Sequence, residues 1–198
     1  RYITKTNGGF ILVNSNDGTT QKFNEAGRMV QTQDRNKNFI NFTYNENGKL
    51  ISLVDNQNRK MQFSYDHSGH LEKIVGESGK TTSYRFSKDG FLEYSKDDQG
   101  VENGYRYSKD QFRNLVEITF PGEKNSKGQP QKMQINYYGP DQFVNVKSVL
   151  NKDGTTNEYE YFRDSKKPDY FAVRILMKNA AGAKISDAKY EYYSKTKP

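Results

Sequence analysis

The chain has 198 residues and a mass of 22.9 kDa, with 31 basic against 24 acidic side chains and a net charge of +7. Only 32% of its residues are hydrophobic, Cys and Trp are absent and Ala and Leu are scarce, yet it carries 15 Tyr and 12 Phe. This excludes disulfides, thiolate chemistry and a helical bundle, and the aromatics argue against disorder, leaving a β-sheet held by aromatic side chains with most of its surface wet.

The predicted elements begin with Phe10-Ile11-Leu12-Val13 and the turn Asn16-Asp17-Gly18, a degenerate first hairpin. A repeat then takes over. An aromatic residue, a polar turn, Gly and an apolar residue recur as Phe23-Asn24-Glu25-Ala26-Gly27-Arg28-Met29 and Tyr44-Asn45-Glu46-Asn47-Gly48-Lys49-Leu50. They return as Tyr65-Asp66-His67-Ser68-Gly69-His70-Leu71 and Phe86-Ser87-Lys88-Asp89-Gly90-Phe91-Leu92, and Tyr107-Ser108-Lys109-Asp110 starts a fifth copy. Midway between these stand second turns at Asp34-Arg35-Asn36-Lys37, Asp55-Asn56-Gln57-Asn58, Gly76-Glu77-Ser78-Gly79 and Asp97-Asp98-Gln99-Gly100. Asp or Asn opening and Gly or Asn closing fit a turn with a left-handed position near its end.

Between turns, apolar and polar residues alternate, as in Ile40-Asn41-Phe42-Thr43-Tyr44 and Met61-Gln62-Phe63-Ser64-Tyr65, the signature of a strand with one covered face. Connections this short force antiparallel pairing. After Tyr107 the period loosens. Two residues are inserted around Phe112–Leu115, and the turn Pro121–Gly128 is expanded. Tyr137-Tyr138-Gly139-Pro140-Asp141 and Asn151-Lys152-Asp153-Gly154 resume the pattern, and a second insertion covers Phe162–Asp169. Tyr170–Leu176, Ala180-Ala181-Gly182 and Tyr190–Tyr193 finish the chain. The expectation is one all-β domain over residues 1–198: an antiparallel meander of about 14–16 strands, forming an open, twisted, largely single-layer sheet.

The positive charge is interleaved with acidic residues along the whole chain rather than gathered into a stripe, which disfavours nucleic acid as the partner. No apolar run is long enough for a transmembrane helix. The first residue is Arg1, which fits either removal of a leader, with an extracytoplasmic location, or a start inside a longer chain, the former being the favoured expectation.

An aromatic, Asn or Asp, two residues, Gly, a basic residue and Leu, with Asp-x-x-Gly about eleven residues after the aromatic, resembles the YD repeats of the RHS family. The clearest match runs from Phe23 to Tyr107, with degenerate repeats and caps over 1–22 and 108–198. Phe replaces Tyr at 23 and 86, and Gly76 replaces the turn Asp. The resemblance implies a long antiparallel sheet that winds as it grows. In large RHS proteins such sheets curl into hollow shells around toxin domains, with an aspartyl self-cleavage site in a core motif. No segment here resembles that motif, so the resemblance implies a strip of the same material without a catalytic role.

Candidate sites are few. The aromatic ladder at 42, 44, 63, 65, 84, 86, 105 and 107 is one, with Tyr44, Tyr65, Phe86 and Tyr107 as a face that could stack sugar rings; the competing expectation is that the rings pack on each other across strands. His67 and His70 flank one turn and read as replaceable surface, and the turn acids Asp17, Asp55 and Asp153 read as local hydrogen-bonding groups rather than metal ligands. Asn41-Phe42-Thr43 is a sequon inside a predicted strand. No catalytic motif is present, so no catalytic residue, metal or cofactor is expected. The leading expectation is a non-catalytic envelope or extracellular repeat protein that presents a sheet to a carbohydrate or protein partner, with the insertions at 121–128 and 162–169 available for contacts. The alternative is a structural segment of a larger RHS-type toxin-delivery or adhesin protein. A third reading, a basic polyanion binder, requires affinity that falls steeply with salt.

Overall fold

The computed structural model describes residues 1–139 and 145–193, apart from the side chain of residue 168; the expected turn residues Pro140 and Asp141 lie outside the described set. All regular structure among these residues is β, in seventeen strands, and no helix is formed. The described residues fall into two compact units, Arg1–Val101 and Glu102–Pro198.

The first unit contains β1 (Tyr2–Thr6), β2 (Gly9–Asn14), β3 (Thr19–Asn24), β4 (Met29–Gln33), β5 (Phe39–Tyr44), β6 (Leu50–Asp55), β7 (Lys60–Tyr65), β8 (Leu71–Val75), β9 (Thr81–Phe86) and β10 (Leu92–Lys96). Each strand pairs antiparallel with its neighbours in sequence. β1 carries no repeat signature and is the element sequence reasoning did not anticipate. It adds to β2 across the two-residue tip Asn7-Gly8.

Both turn kinds share one geometry. In the aromatic turn the Asn45 N–H donates to the Lys49 carbonyl at 2.9 Å, and the Gly48 N–H donates to the Asn45 carbonyl at 2.8 Å. Gly48 sits at φ 73°, where a residue with a Cβ is strained. The Asn45 side-chain oxygen accepts the Lys49 N–H at 2.9 Å, which is why Asn or Asp follows the repeat aromatic. In the second turn Asp34 Oδ1 accepts the N–H groups of Asn36 and Asn38 at 2.8 and 2.9 Å, and Asp55 and Asp97 do the same for their own turns. The left-handed position falls to Lys37 (φ 70°) and Asn58 (φ 63°) in two copies.

The two turns differ in register. At each aromatic turn the ladder slips by one residue, so Phe23 faces Met29, Tyr44 faces Leu50, Tyr65 faces Leu71 and Phe86 faces Leu92. The second turns carry no slip. Every repeat thus holds one bulge in the same place, which sharpens the local twist and re-aims the aromatic side chain.

The second unit contains β11 (Glu102–Tyr107), β12 (Leu115–Lys124), β13 (Pro130–Tyr137), β14 (Val146–Leu150), β15 (Thr156–Asp164), β16 (Lys167–Lys178) and β17 (Lys184–Tyr193), again a meander. The expected two-residue insertion is there: the Ser108 N–H bonds the Asn114 carbonyl at 2.7 Å, two residues further on than the turn bond of the regular repeats. The two expected loops are corrected. Residues 121–128 extend β12 to Lys124 and leave a short turn at Asn125, with Pro121 in the irregular stretch between the Phe120 and Lys124 pairs, where its missing N–H costs no ladder bond. Residues 162–169 lengthen the β15–β16 hairpin, whose ladder runs to Asp164 opposite Lys167.

Neither unit has a conventional core. Only Gly9, Glu117 and Ala172 are buried among the described residues, and within each unit strands touch only their sequence neighbours. Such a layer is held by cross-strand pairs, each worth about 0.2–1 kcal/mol, rather than by a second layer.

Candidate functional site

The repeat aromatics share one arrangement. The Tyr44 hydroxyl donates to the Met29 carbonyl at 2.8 Å and the Tyr65 hydroxyl to the Leu50 carbonyl at 2.8 Å, each reaching back fifteen residues to the strand that opens the preceding hairpin. In the second unit the Tyr137 hydroxyl reaches back to the Leu115 carbonyl at 2.9 Å, while the Tyr138 hydroxyl reaches forward to the Tyr159 carbonyl at 2.8 Å. Phe86 has no hydroxyl to give. Burial pushes the phenols of Tyr107, Tyr137 and Tyr161 above their usual pKa.

The basic residues that follow Gly27, Gly48 and Gly69 cover the next repeat. Lys49 places its ammonium 5.0 Å from the Tyr65 ring centre and donates to the Gly69 carbonyl. The Arg28 guanidinium lies against Gly48, leaving no room there for a Cβ. His70 stacks on Phe86 with centroids 4.7 Å apart, and its Nδ1 lies 3.1 Å from Asp66 Oδ2. Partial burial raises the Asp66 carboxyl, but the His70 N–H and ring outweigh it and leave the group below its usual range.

In the first unit the ladder rings Tyr44, Tyr65, Tyr84 and Phe86 face Leu50, Leu71, Ser95 and Leu92 across the sheet, while Phe23 faces Phe10. The strands that carry them alternate with aliphatic strands, so successive rings stand roughly 10 Å apart by strand spacing. Phe42 faces Leu53 and Phe63 faces Ile74 instead. Tyr44, Tyr65, Phe86 and Tyr107 are all half-buried. His67 is exposed surface, as expected, but His70 is a partnered ring, a role its replacement of Lys49 in the series did not announce.

The turn acids face local donors. The Thr19 and Thr155 hydroxyls hold Asp17 and Asp153 below the usual carboxylate range, and the Asn38 amide does so for Asp34. At Asp55 partial burial acts upward, and the Arg59 guanidinium outweighs it at 2.6 Å. Among the described residues no group of three or more His, Asp or Glu gathers in metal-binding fashion. The sequon Asn41 accepts from Gln31 at 2.8 Å across the β4–β5 ladder.

Sequence reasoning missed the strongest electrostatic feature. Glu117 on β12 is 7% exposed and accepts from Arg106 on β11 at 3.3 Å and from Lys132 and Gln134 on β13 at 3.2 Å each. Burial pushes its carboxyl up, but these three donors prevail and bring it down to about 2. The residue replaces Ser52 of an ordinary repeat, and a charge on an alternating strand carries no mark of burial. At the far end Arg174 grips Asp187 through two bonds of 2.7 Å and reaches Glu160 at 3.2 Å.

Two open hollows lie in the second unit. One, of about 640 Å³, is lined by Gln129, Gln131, Gln134, Lys132 and Lys152, but these lysines are committed to Glu117 and Glu123. The other, of about 550 Å³, holds Arg106, Asp110, Phe112 and Tyr138. Asp110 there already accepts from the Ser108 hydroxyl and the Phe112 and Arg113 N–H groups. Neither gathers a nucleophile, a base and an orienting group.

Bulged hairpins repeated every 21 residues and stapled by a tyrosine hydroxyl define a YD-type repeat sheet. The Teneurin YD-shell family matches residues 3–184, and the chain belongs to it. Two solved structures share the fold: TcdB2-TccC3, with a TM-score of 0.53, 12% identity and cover of 92% of this chain, and TcdB2-TccC3-TEV, with a TM-score of 0.50, 12% identity and cover of 93%. The chain spans only 13% and 11% of those chains. No curated protein is significantly similar in sequence. No helix among the described residues is long and apolar enough to cross a membrane.

Proposed function

We propose that this chain is a wall segment: a structural, non-catalytic stretch of an extracytoplasmic YD-shell protein of the toxin-delivery kind. The observation that carries this reading is the use of the side chains. Tyrosine hydroxyls and post-glycine cations are spent on the preceding or following repeat and turn carboxylates on closing their own turns, so the chemistry serves continuation of the sheet. Membership of the YD-shell family supports it, as does likeness to chains of Tc toxin structures many times longer. Protein partners belong to this reading, because the related folds occur in assemblies of several proteins.

Presentation of the face with Tyr44, Tyr65, Phe86 and Tyr107 to a glycan is the competing use. In its disfavour, Lys49 and His70 already lie over the Tyr65 and Phe86 rings. An antibody to the segment, used on size-fractionated native material, separates the two. A wall segment elutes inside a polypeptide or complex several times its mass, and the purified segment stays silent on a glycan array at physiological salt. Recovery of a free 22.9 kDa chain that binds a neutral glycan, and loses it on Tyr65→Ala, would reject the wall reading.

A further inference from the structure

We infer that the polar face of β7–β9 is a docking track for an extended acidic polypeptide segment, read by Lys60, Lys73 and Arg85. Basic and acidic residues are mixed along the sequence of the first unit, but the sheet separates them. Its acids stand in the turns, apart from Asp55, Glu72 and Glu93. Asp55 is held by Arg59. Glu72 and Glu93 directly precede Lys73 and Tyr94 on their strands, so alternation sends them to the opposite face.

On the polar face the ladder sets Lys60 beside Val54, Gln62 beside Ser52, and Lys73 between Ser64 and Ser83, while Arg85, two residues beyond Ser83, faces Tyr94. The rings of Phe63, Tyr65, Tyr84 and Phe86 take the other face. Lys60, Lys73 and Arg85 are exposed. Among the described residues their charged groups make no ion pair or hydrogen bond, and Arg85 lies 5.0 Å from the Tyr94 ring centre. The second unit differs: Arg106, Lys132, Arg174 and Lys178 each hold a carboxylate on a neighbouring strand. Three adjacent strands of the first unit thus carry three cations with no carboxylate opposite them.

The spacing selects the partner. Lys60 lies four residues along the ladder and one strand away from Lys73, about 14 Å, and Arg85 lies two residues and one strand beyond Lys73, about 8 Å. An extended polypeptide presents side chains to one face every second residue, about 7 Å apart. Acidic residues at i, i+4 and i+6 therefore meet the three cations in turn, and the residue at i+2 passes over Gln62. A nucleic-acid strand carries a charge about every 3.4 Å along its axis, so most of its phosphates would find no partner here. Lys22 is exposed on the same face and in the same row as Lys60, but four strands away, about 19 Å, and stands outside the track. The inference stands without the wall reading, since it rests on the register of the first unit alone.

The probe is a fluorescein-labelled peptide of Ser with Glu at the first, fifth and seventh positions, titrated by anisotropy against the whole 198-residue chain at about 50 mM salt, where screening is weak. Saturable binding is expected, and an isomer with its three Glu contiguous should bind about fivefold more weakly, because neighbouring residues point to opposite faces. Lys60→Ala, Lys73→Ala and Arg85→Ala should each weaken the first peptide about fivefold, whereas Lys22→Ala, which removes the same charge, should change it less than about twofold. All four side chains are exposed, so the variants keep the sheet, as unchanged circular dichroism melts would verify. Failure of the first peptide to bind overturns the inference. Equal affinity of the two isomers, or an equal loss with Lys22→Ala, also overturns it, since net charge alone would then be read. Tighter binding of an oligothymidylate of equal charge, lost in the same three variants, overturns it in favour of nucleic acid.

Discussion

Replacing Glu117 by Gln keeps the shape of the side chain and removes its charge from beneath Arg106, Lys132 and Gln134. The native carboxyl sits at about 2 against an ordinary 4.5. At about 1.4 kcal/mol per pH unit, that displacement corresponds to roughly 3 kcal/mol of stability at neutral pH. Arg106 and Lys132 are themselves 62% and 48% exposed and can turn into water when unpaired, so about 2–3 kcal/mol is the expected cost. The sign of the pH dependence follows. A carboxyl depressed in the folded state contributes fully above its unfolded value and is lost as pH falls from about 4.5 through about 2. Glu117→Gln has no such titration, so the gap between wild type and variant should close over that window. Urea melts followed by circular dichroism, with tyrosine fluorescence as a second probe, would measure it at several pH values. Hydrogen exchange on β11–β13 would localise the loss, since repeat sheets open piecewise. A gap that stays constant down to about pH 2 would show that packing, not the ionised carboxylate, is at work.

Four further outcomes are expected. Tyr44→Phe and Tyr65→Phe should each cost about 1 kcal/mol by thermal melting, and Phe86→Tyr should return a similar amount through the Leu71 carbonyl, fifteen residues back. Gly76→Asp should raise the melting temperature, since Asp55 and Asp97 show two N–H donors waiting at that turn position and a Cβ at Gly76 meets only the Lys80 carbonyl, at an ordinary contact distance of 3.8 Å. Lys37→Gly should stabilise by roughly 0.5–1 kcal/mol in denaturant titration, by relieving a non-glycine residue at φ 70°. Gly69→Ala should destabilise and raise local exchange around β7–β8, because it combines a φ of +86° with a Cβ driven into Lys49.

Much of the fold was legible before any coordinates, because repetition multiplies weak signals. One aromatic followed by a polar turn and Gly proves little, but four of them at equal spacing fix strand length, antiparallel pairing and the left-handed turn position together. Alternation in Ile40–Tyr44 or Met61–Tyr65 shows which residues share a face without showing how far each is covered. The structure corrected the reading where geometry depends on partners outside the local sequence. The stretches at 121–128 and 162–169 looked like loops because the repeat broke there, yet strand pairing resumes at Lys124 in the first and runs to Asp164 opposite Lys167 in the second, leaving only short turns.

The sequence by itself determined the class, the period, the two turn kinds and the absence of a second layer, since each is set by local backbone chemistry and by a shortage of apolar residues. Only the tertiary structure decided what the aromatics do. Whether a tyrosine offers its ring to solvent or spends its hydroxyl on a carbonyl fifteen residues back depends on the bulge that re-aims it. Whether a carboxylate such as Glu117 is surface or buried depends on which donors two neighbouring strands bring to it. Those contacts are made across strands, and single-strand periodicity carries no information about them.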